Sequence, residues 1–119
     1  MAKRDFLAVT DFSPRELRGL LREATRYKRH RHRNAHVLEG TVVALIFQKP
    51  SMRTRVAFEV AVSQLGGSTL CLGQKDIQVG QREPLKDVAR VLSRYVDAVV
   101  MRTFAHRTLE EFAAHAAVP

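Results

Sequence analysis

The sequence has a single cysteine, Cys71, and so cannot close an internal disulfide. A lone thiol accords with a reducing compartment, and the cytoplasm is the expected location. No apolar run approaches the ~18 residues of a membrane span. The N-terminal Met-Ala-Lys-Arg-Asp-Phe has no apolar core behind its charges, so neither a secretory signal nor a membrane partner is expected. Internal repeats and low-complexity linkers are absent. Metal-ligand sets are absent too: His30, His32 and His36 lie in or just after a basic segment without paired cysteines or carboxylates. Acidic residues are the scarcer charge, 12 against 20 Lys and Arg, which leaves a net charge of +8. Much of the excess lies between Arg22 and Arg33. Such a run is either a nucleic-acid patch or a solvated helix end, where cations are favoured. Tyr27 is the only aromatic nearby, so no stacking series accompanies the charges. The solvated end is the preferred reading, and nucleic acid is not an expected partner.

What is present fits one domain. The chain has 119 residues, 45% hydrophobic and 27% charged, enough to bury a core. Ser13-Pro14-Arg15-Glu16 is a capping box with proline at the first helical position. Leu17, Leu20, Leu21 and Ala24 follow at helical spacing, which predicts a helix from about Ser13 to Arg31. Thr41 to Phe47 is short, apolar and β-branched, as a strand buried on both faces should be. A second helix is predicted from about Arg53 to Leu65, stopped by Gly66-Gly67. Ser68 to Leu72 reads as a strand and Gly73 to Glu83 as a polar loop. A third helix opens at Pro84, with Leu85, Val88, Ala89 and Leu92 on one face. Asp97 to Met101 is a third strand. Thr108-Leu109-Glu110-Glu111 reads as a second capping box, opening a last helix with Phe112 and Ala116. The closing Ala116 to Pro119 reads as the approach to a further strand, as in a fragment.

Strands alternating with helices predict an α/β fold: an open parallel sheet with helices on both faces. All strand-to-helix loops then open at one sheet edge, where ligands bind in such folds. The first of these loops is the most informative segment. Phe47-Gln48-Lys49-Pro50-Ser51-Met52-Arg53-Thr54-Arg55 joins an apolar strand to a helix start. The helix start offers unpaired N–H groups and a positive dipole end. Ser51 and Thr54 add hydroxyls, and Arg53 and Arg55 add planar cationic forks that match phosphate oxygens. Gln78 and Arg102 fall in the loops after the second and third strands, so they converge on the same edge.

The run Phe47 to Arg55 resembles the carbamoyl-phosphate loop of the aspartate/ornithine carbamoyltransferase family, which typically reads Ser-Thr-Arg-Thr-Arg. The resemblance continues through Phe58-Glu59, Gln64-Leu65-Gly66-Gly67, Gln78-Val79-Gly80 and Glu83-Pro84. Asp87 to Asp97 and Met101-Arg102-Thr103-Phe104 are similar to the ornithine branch in particular. The match covers nearly all the chain after about Pro14. It implies that residues 1–119 form a carbamoyl-phosphate-binding domain, cut short at its C-terminal end, with the second, acceptor-binding domain absent. It implies that Ser51, Met52 (through its backbone N–H), Arg53 and Thr54 bind the phosphate. Arg102 would bridge phosphate and carbonyl oxygen, and Thr54 would also reach that oxygen. Arg53, Thr54 and Arg102 are thus the expected catalytic set. Gln78 would serve a neighbouring subunit's site, within a homotrimer or a multiple of trimers. The implied reaction carries the carbamoyl group to the side-chain amine of ornithine, giving citrulline and phosphate in arginine metabolism, with no metal or organic cofactor.

Two positions depart from the family pattern. Met52 stands where threonine is usual, which removes a hydroxyl and predicts weaker phosphate binding. Gln48 replaces the usual acidic residue and alters the charge beside Lys49. Other roles stay open. Arg55 is either a ligand or an ion-pair partner, and Lys49 either neutralises the site or pairs with an acid. His106 reads as structural, and Cys71 as core. The family's His-Pro-x-Gln, Ser-Met-Gly and His-Cys-Leu-Pro motifs are missing. The acceptor could therefore be aspartate, putrescine or an acylated ornithine. The other alternative is a non-catalytic module that binds phosphate or nucleic acid.

Overall fold

The computed structural model describes residues 2–73, 75–77 and 83–119. A short 3-10 turn, Val9–Asp11, precedes helix α1 (Pro14–Arg29). The order continues β1 (Val42–Phe47), α2 (Met52–Gln64), β2 (Ser68–Leu72), α3 (Leu85–Leu92), β3 (Ala98–Arg102) and α4 (His106–His115). Among the described residues no helix is long and apolar enough to cross a membrane.

The three strands form a parallel sheet in the order β2-β1-β3, so β1 is central. Its four middle residues, Val43 to Ile46, are buried, as the β-branched run predicts for a strand covered on both sides. Successive side chains alternate between faces. Val43 and Leu45 pack with Val62 of α2, beside Phe47, Cys71, Ala98 and Val100. Ile46 packs on the opposite face with Leu85, Val88, Ala89 and Leu92 of α3 and Phe112 of α4. Helices therefore cover both faces of the open sheet. Leu45 is wholly buried; truncating such a residue to alanine costs about 2–5 kcal/mol.

The helix ends explain the boundaries. At α1 the Ser13 Oγ accepts from Glu16 N at 3.2 Å and the Glu16 carboxylate accepts from Ser13 N at 2.8 Å. The capping box is thus closed in both directions. Even so, α1 buries none of its residues, and Leu20 and Leu21 stay exposed. It ends at Arg29, two residues short of the expected limit, with the basic run solvent-facing. At the far end of α2, Gly66 N donates to Ser63 O at 3.0 Å and Gly67 N to Val62 O at 2.9 Å. That is a Schellman closure, and Gly66 takes the positive φ of +90° it requires.

One expected cap is not formed. Helix α4 begins at His106, two residues before Thr108, with Ala105 at the cap position and no side-chain cap bond. Thr108 N instead donates to Ala105 O at 3.2 Å. On the edge of β3 away from β1, Val99 N donates to Pro119 O at 2.9 Å, so the C-terminal residues lie against that edge.

Candidate active site

The central position of β1 creates a switch point. Its following helix, α2, lies on one face and leads to β2. The chain then crosses the other face through α3 to β3 on the opposite side of β1. At the carboxyl ends of β1 and β3 the two loops lead to helices on opposite faces of the sheet, the usual ligand site of open α/β folds.

Register brings the key side chains to this edge of the sheet. Phe47, the last residue of β1, sits opposite Arg102, the last of β3. Phe47 packs on the α2 face, so its neighbour Arg102 falls on that face as well. There the Arg102 guanidinium meets the first turn of α2. Its Nη1 donates to Ser51 Oγ at 2.6 Å and approaches Thr54 Oγ1 at 3.3 Å.

The start of α2 leaves its first amides without partners inside the helix. Ser51 is the cap residue, yet its side chain makes no capping bond to the helix. Its oxygen faces Arg102 instead. The first intrahelical bond is Arg55 N to Ser51 O at 3.0 Å, so the amides of Met52, Arg53 and Thr54 have no intrahelical acceptor. Arg53 is exposed and has no ion-pair or hydrogen-bond partner among the described residues. Met52 is 77% exposed, so the residue that breaks the hydroxyl pattern contributes little packing. A cavity of about 260 Å³ opens on the β2 side of this turn, lined by Phe47, Gln48, Ser51, Arg55 and Cys71, and a second of about 470 Å³ is lined by Thr54 and Arg102 with Phe47, Phe58 and Met101. Amide donors, a positive dipole end and uncompensated guanidiniums together attract a multiply charged oxyanion.

The remaining cations are sorted by their contacts. Arg55 faces Glu59 at 3.6 Å, one helical turn on, so the ion-pair alternative is the one formed. Cys71 Sγ donates to Glu59 Oε1 at 2.8 Å. Burial, then the Glu59 carboxylate, push the Cys71 thiol above its ordinary value. Cys71 packs on the α2-side core, as expected, but it also holds this acid. Lys49 pairs with no acid among the described residues; its Nζ lies 5.5 Å from the Phe104 ring centroid. His106 is exposed, with Nε2 3.6 Å from Glu110, away from the Ser51–Arg102 contact. Gln78 lies outside the described residues.

Sequence reasoning missed the link between the two loops. Gln48 N donates to Arg102 O at 2.9 Å, and Phe104 N donates to Gln48 Oε1 at 3.1 Å. Thr103 Oγ1 closes the same loop by donating to Ala105 O at 2.8 Å. The available signal was the amide side chain directly after β1, a residue type that can bridge two backbones.

An open parallel sheet with a cationic, uncapped helix start at its switch point defines an α/β anion-binding domain. Residues 4–119 match the family described as aspartate/ornithine carbamoyltransferase, carbamoyl-P binding domain. The chain belongs to this family. It is 50% identical over 119 residues to the ornithine carbamoyltransferase of Halorhodospira halophila, covering 98% of this chain and 39% of that protein. Identity to the anabolic ornithine carbamoyltransferase of Pseudomonas aeruginosa is 47% over 121 residues, covering 100% and 40%. The crystal structure of the anabolic enzyme from Campylobacter jejuni superposes with a TM-score of 0.91 at 41% identity, covering 98% of this chain and 37% of that one. The chain thus spans about two-fifths of the length of these relatives.

Proposed function

We propose that this chain is the carbamoyl-phosphate-binding domain of an ornithine carbamoyltransferase. Ser51, the amides of Met52, Arg53 and Thr54, and the Arg53 guanidinium hold the phosphate. Arg102 bridges that phosphate and the carbonyl oxygen, and the Thr54 hydroxyl donates to the same oxygen. The amine of ornithine attacks the carbonyl carbon, charge builds on the carbonyl oxygen, the C–O bond to phosphate breaks, and the departing phosphate takes the amine's proton as citrulline forms. Charge therefore moves between two groups held by one cationic cluster. Pre-aimed donors at such a site lower the barrier, and losing one typically costs ~10²–10³ in rate. The observation that carries this reading is Arg102 joined to both Ser51 and Thr54 at the uncapped α2 start.

Acceptor binding falls to parts of the relatives' length that this chain does not span, so the 119 residues alone are inactive in this reading. Resemblance along Asp87 to Phe104 favours ornithine over aspartate, putrescine or acylated ornithine. The role in arginine biosynthesis is supported by the relatives' anabolic designation. A homotrimer in the cytoplasm, with Gln78 contributing to a neighbour's site, rests on resemblance of the Gln78 segment.

Calorimetric titration with carbamoyl phosphate tests the assignment. The chain should saturate and Arg53→Ala should not bind. Unchanged affinity in Arg53→Ala removes the site, and citrulline synthesis by the 119 residues alone removes the division of labour.

A further inference from the structure

We propose that Gln48 is a positioning residue for Arg102, acting through a clasp between the β1–α2 and β3–α4 loops. The inference rests on the carbamoyl-phosphate reading and adds how the two halves of that site are held in register. Beyond Phe47 the ladder between β1 and β3 ends, and each loop is free to diverge. Gln48 counters this from both ends of its own structure. Its backbone N–H makes the last rung of the β1–β3 ladder, to the Arg102 carbonyl at 2.9 Å. Its side-chain oxygen accepts from Phe104 N at 3.1 Å, two residues beyond Arg102. The segment from the Arg102 carbonyl to the Phe104 amide is therefore held at both ends by one residue of the opposite loop. Lys49 adds a third contact across the same gap by resting over the Phe104 ring.

The geometry matters because Arg102 must face Ser51 and Thr54, which belong to the loop and helix that Gln48 leads into. A shift of the β3 loop by about an ångström would break a 2.6 Å contact that has little slack. Gln48 is half-buried, so its acceptor is partly sheltered from water, which strengthens the bond to Phe104 N.

The test compares Gln48→Leu, which keeps the volume and loses the acceptor, with Gln48→Glu, which keeps an acceptor of the same reach. Carbamoyl phosphate and inorganic phosphate are titrated into each, with amide exchange at Phe104 followed in the ligand-free chain. Gln48→Leu should speed exchange at Phe104 and weaken carbamoyl phosphate by roughly three- to tenfold, the range of one net hydrogen bond. It should weaken inorganic phosphate less, because Arg102 alone spans phosphate and carbonyl oxygen. Gln48→Glu should restore slow exchange and most of the lost affinity. Equal weakening of both anions would mark a merely structural residue, and unchanged binding in Gln48→Leu would reject the clasp. A wild-type chain that binds neither anion would reject the carbamoyl-phosphate reading itself, and the clasp with it.

Discussion

Arg102 and Ser51 are 51 residues apart in the chain, yet the guanidinium donates to the serine oxygen at 2.6 Å. The bond joins the end of β3 to the start of α2 and keeps Ser51 from capping its own helix. A conventional cap would satisfy an α2 amide internally. Here the hydroxyl is turned to a cation, and the first amides of α2 keep no acceptor within the helix.

Arg102→Lys tests the fork. Lysine keeps the charge but is a single point donor and cannot span both hydroxyls and a ligand. Affinity for carbamoyl phosphate should fall about tenfold or more, consistent with ~1.5–3 kcal/mol for a hydrogen bond to a charged group. Thermal stability should change little, since Arg102 is exposed. Equal affinity by calorimetry would show that charge alone matters at this position.

Met52→Thr restores the hydroxyl usual in the family. With the methionine 77% exposed, its removal costs little packing. Carbamoyl phosphate should bind a few-fold more tightly, the gain of one added hydrogen bond at roughly 0.5–1.5 kcal/mol. A weaker complex would assign the methionine a contact of its own.

Gly66→Ala should be among the more damaging single changes outside the core. The residue has φ +90°, and an added Cβ would collide with the Ala35 carbonyl oxygen. The left-handed conformation alone costs about 1–2 kcal/mol, before Ala35 is displaced. Urea unfolding should show a lower midpoint for Gly66→Ala. An unchanged midpoint would mean that the Schellman closure of α2 is not needed.

The α1 capping box sets a pH dependence. The Ser13 N–H, and then Arg4, hold the Glu16 carboxyl below its ordinary value of 4.5. Its folded pKa is therefore below its unfolded one. Its contribution is complete above the unfolded value and is lost as pH falls through the folded value. The Ser13 amide signal should shift in that acid range, and Glu16→Gln should abolish the step. A Ser13 signal flat through acid would separate the box from Glu16 ionisation.

Much of the architecture is legible in the residues themselves. The β-branched run before Phe47, the Ser13 box, the Gly66-Gly67 stop and the Leu85-Val88-Ala89-Leu92 stripe each specify an element through local chemistry. The start of α4 was not, because the Thr108 box competes with a loop already fixed by Thr103 and Gln48 across the sheet. The site was half legible. The placing of Ser51, Thr54 and Arg102 at a common edge follows from the strand–helix alternation, and the ligand proposed for them rests on family resemblance. The contacts that aim Arg102 depend on β1–β3 register, a long-range pairing that short sequence patterns do not encode. Arg55 pairs with Glu59 four residues on, a spacing that is legible in the sequence; only the contact that Glu59 also makes with Cys71 depends on the fold.

The central claim is that carbamoyl phosphate sits on the first turn of α2 with Arg102 over it. Titration of the labelled chain with carbamoyl phosphate, followed by amide and guanidinium resonances, tests it most directly. The account predicts saturable shifts concentrated at the Met52, Arg53 and Thr54 amides and at the Arg102 side chain, with the basic segment from Arg22 to Arg33 unmoved. Shifts confined to that basic segment, or none at the start of α2, would contradict it.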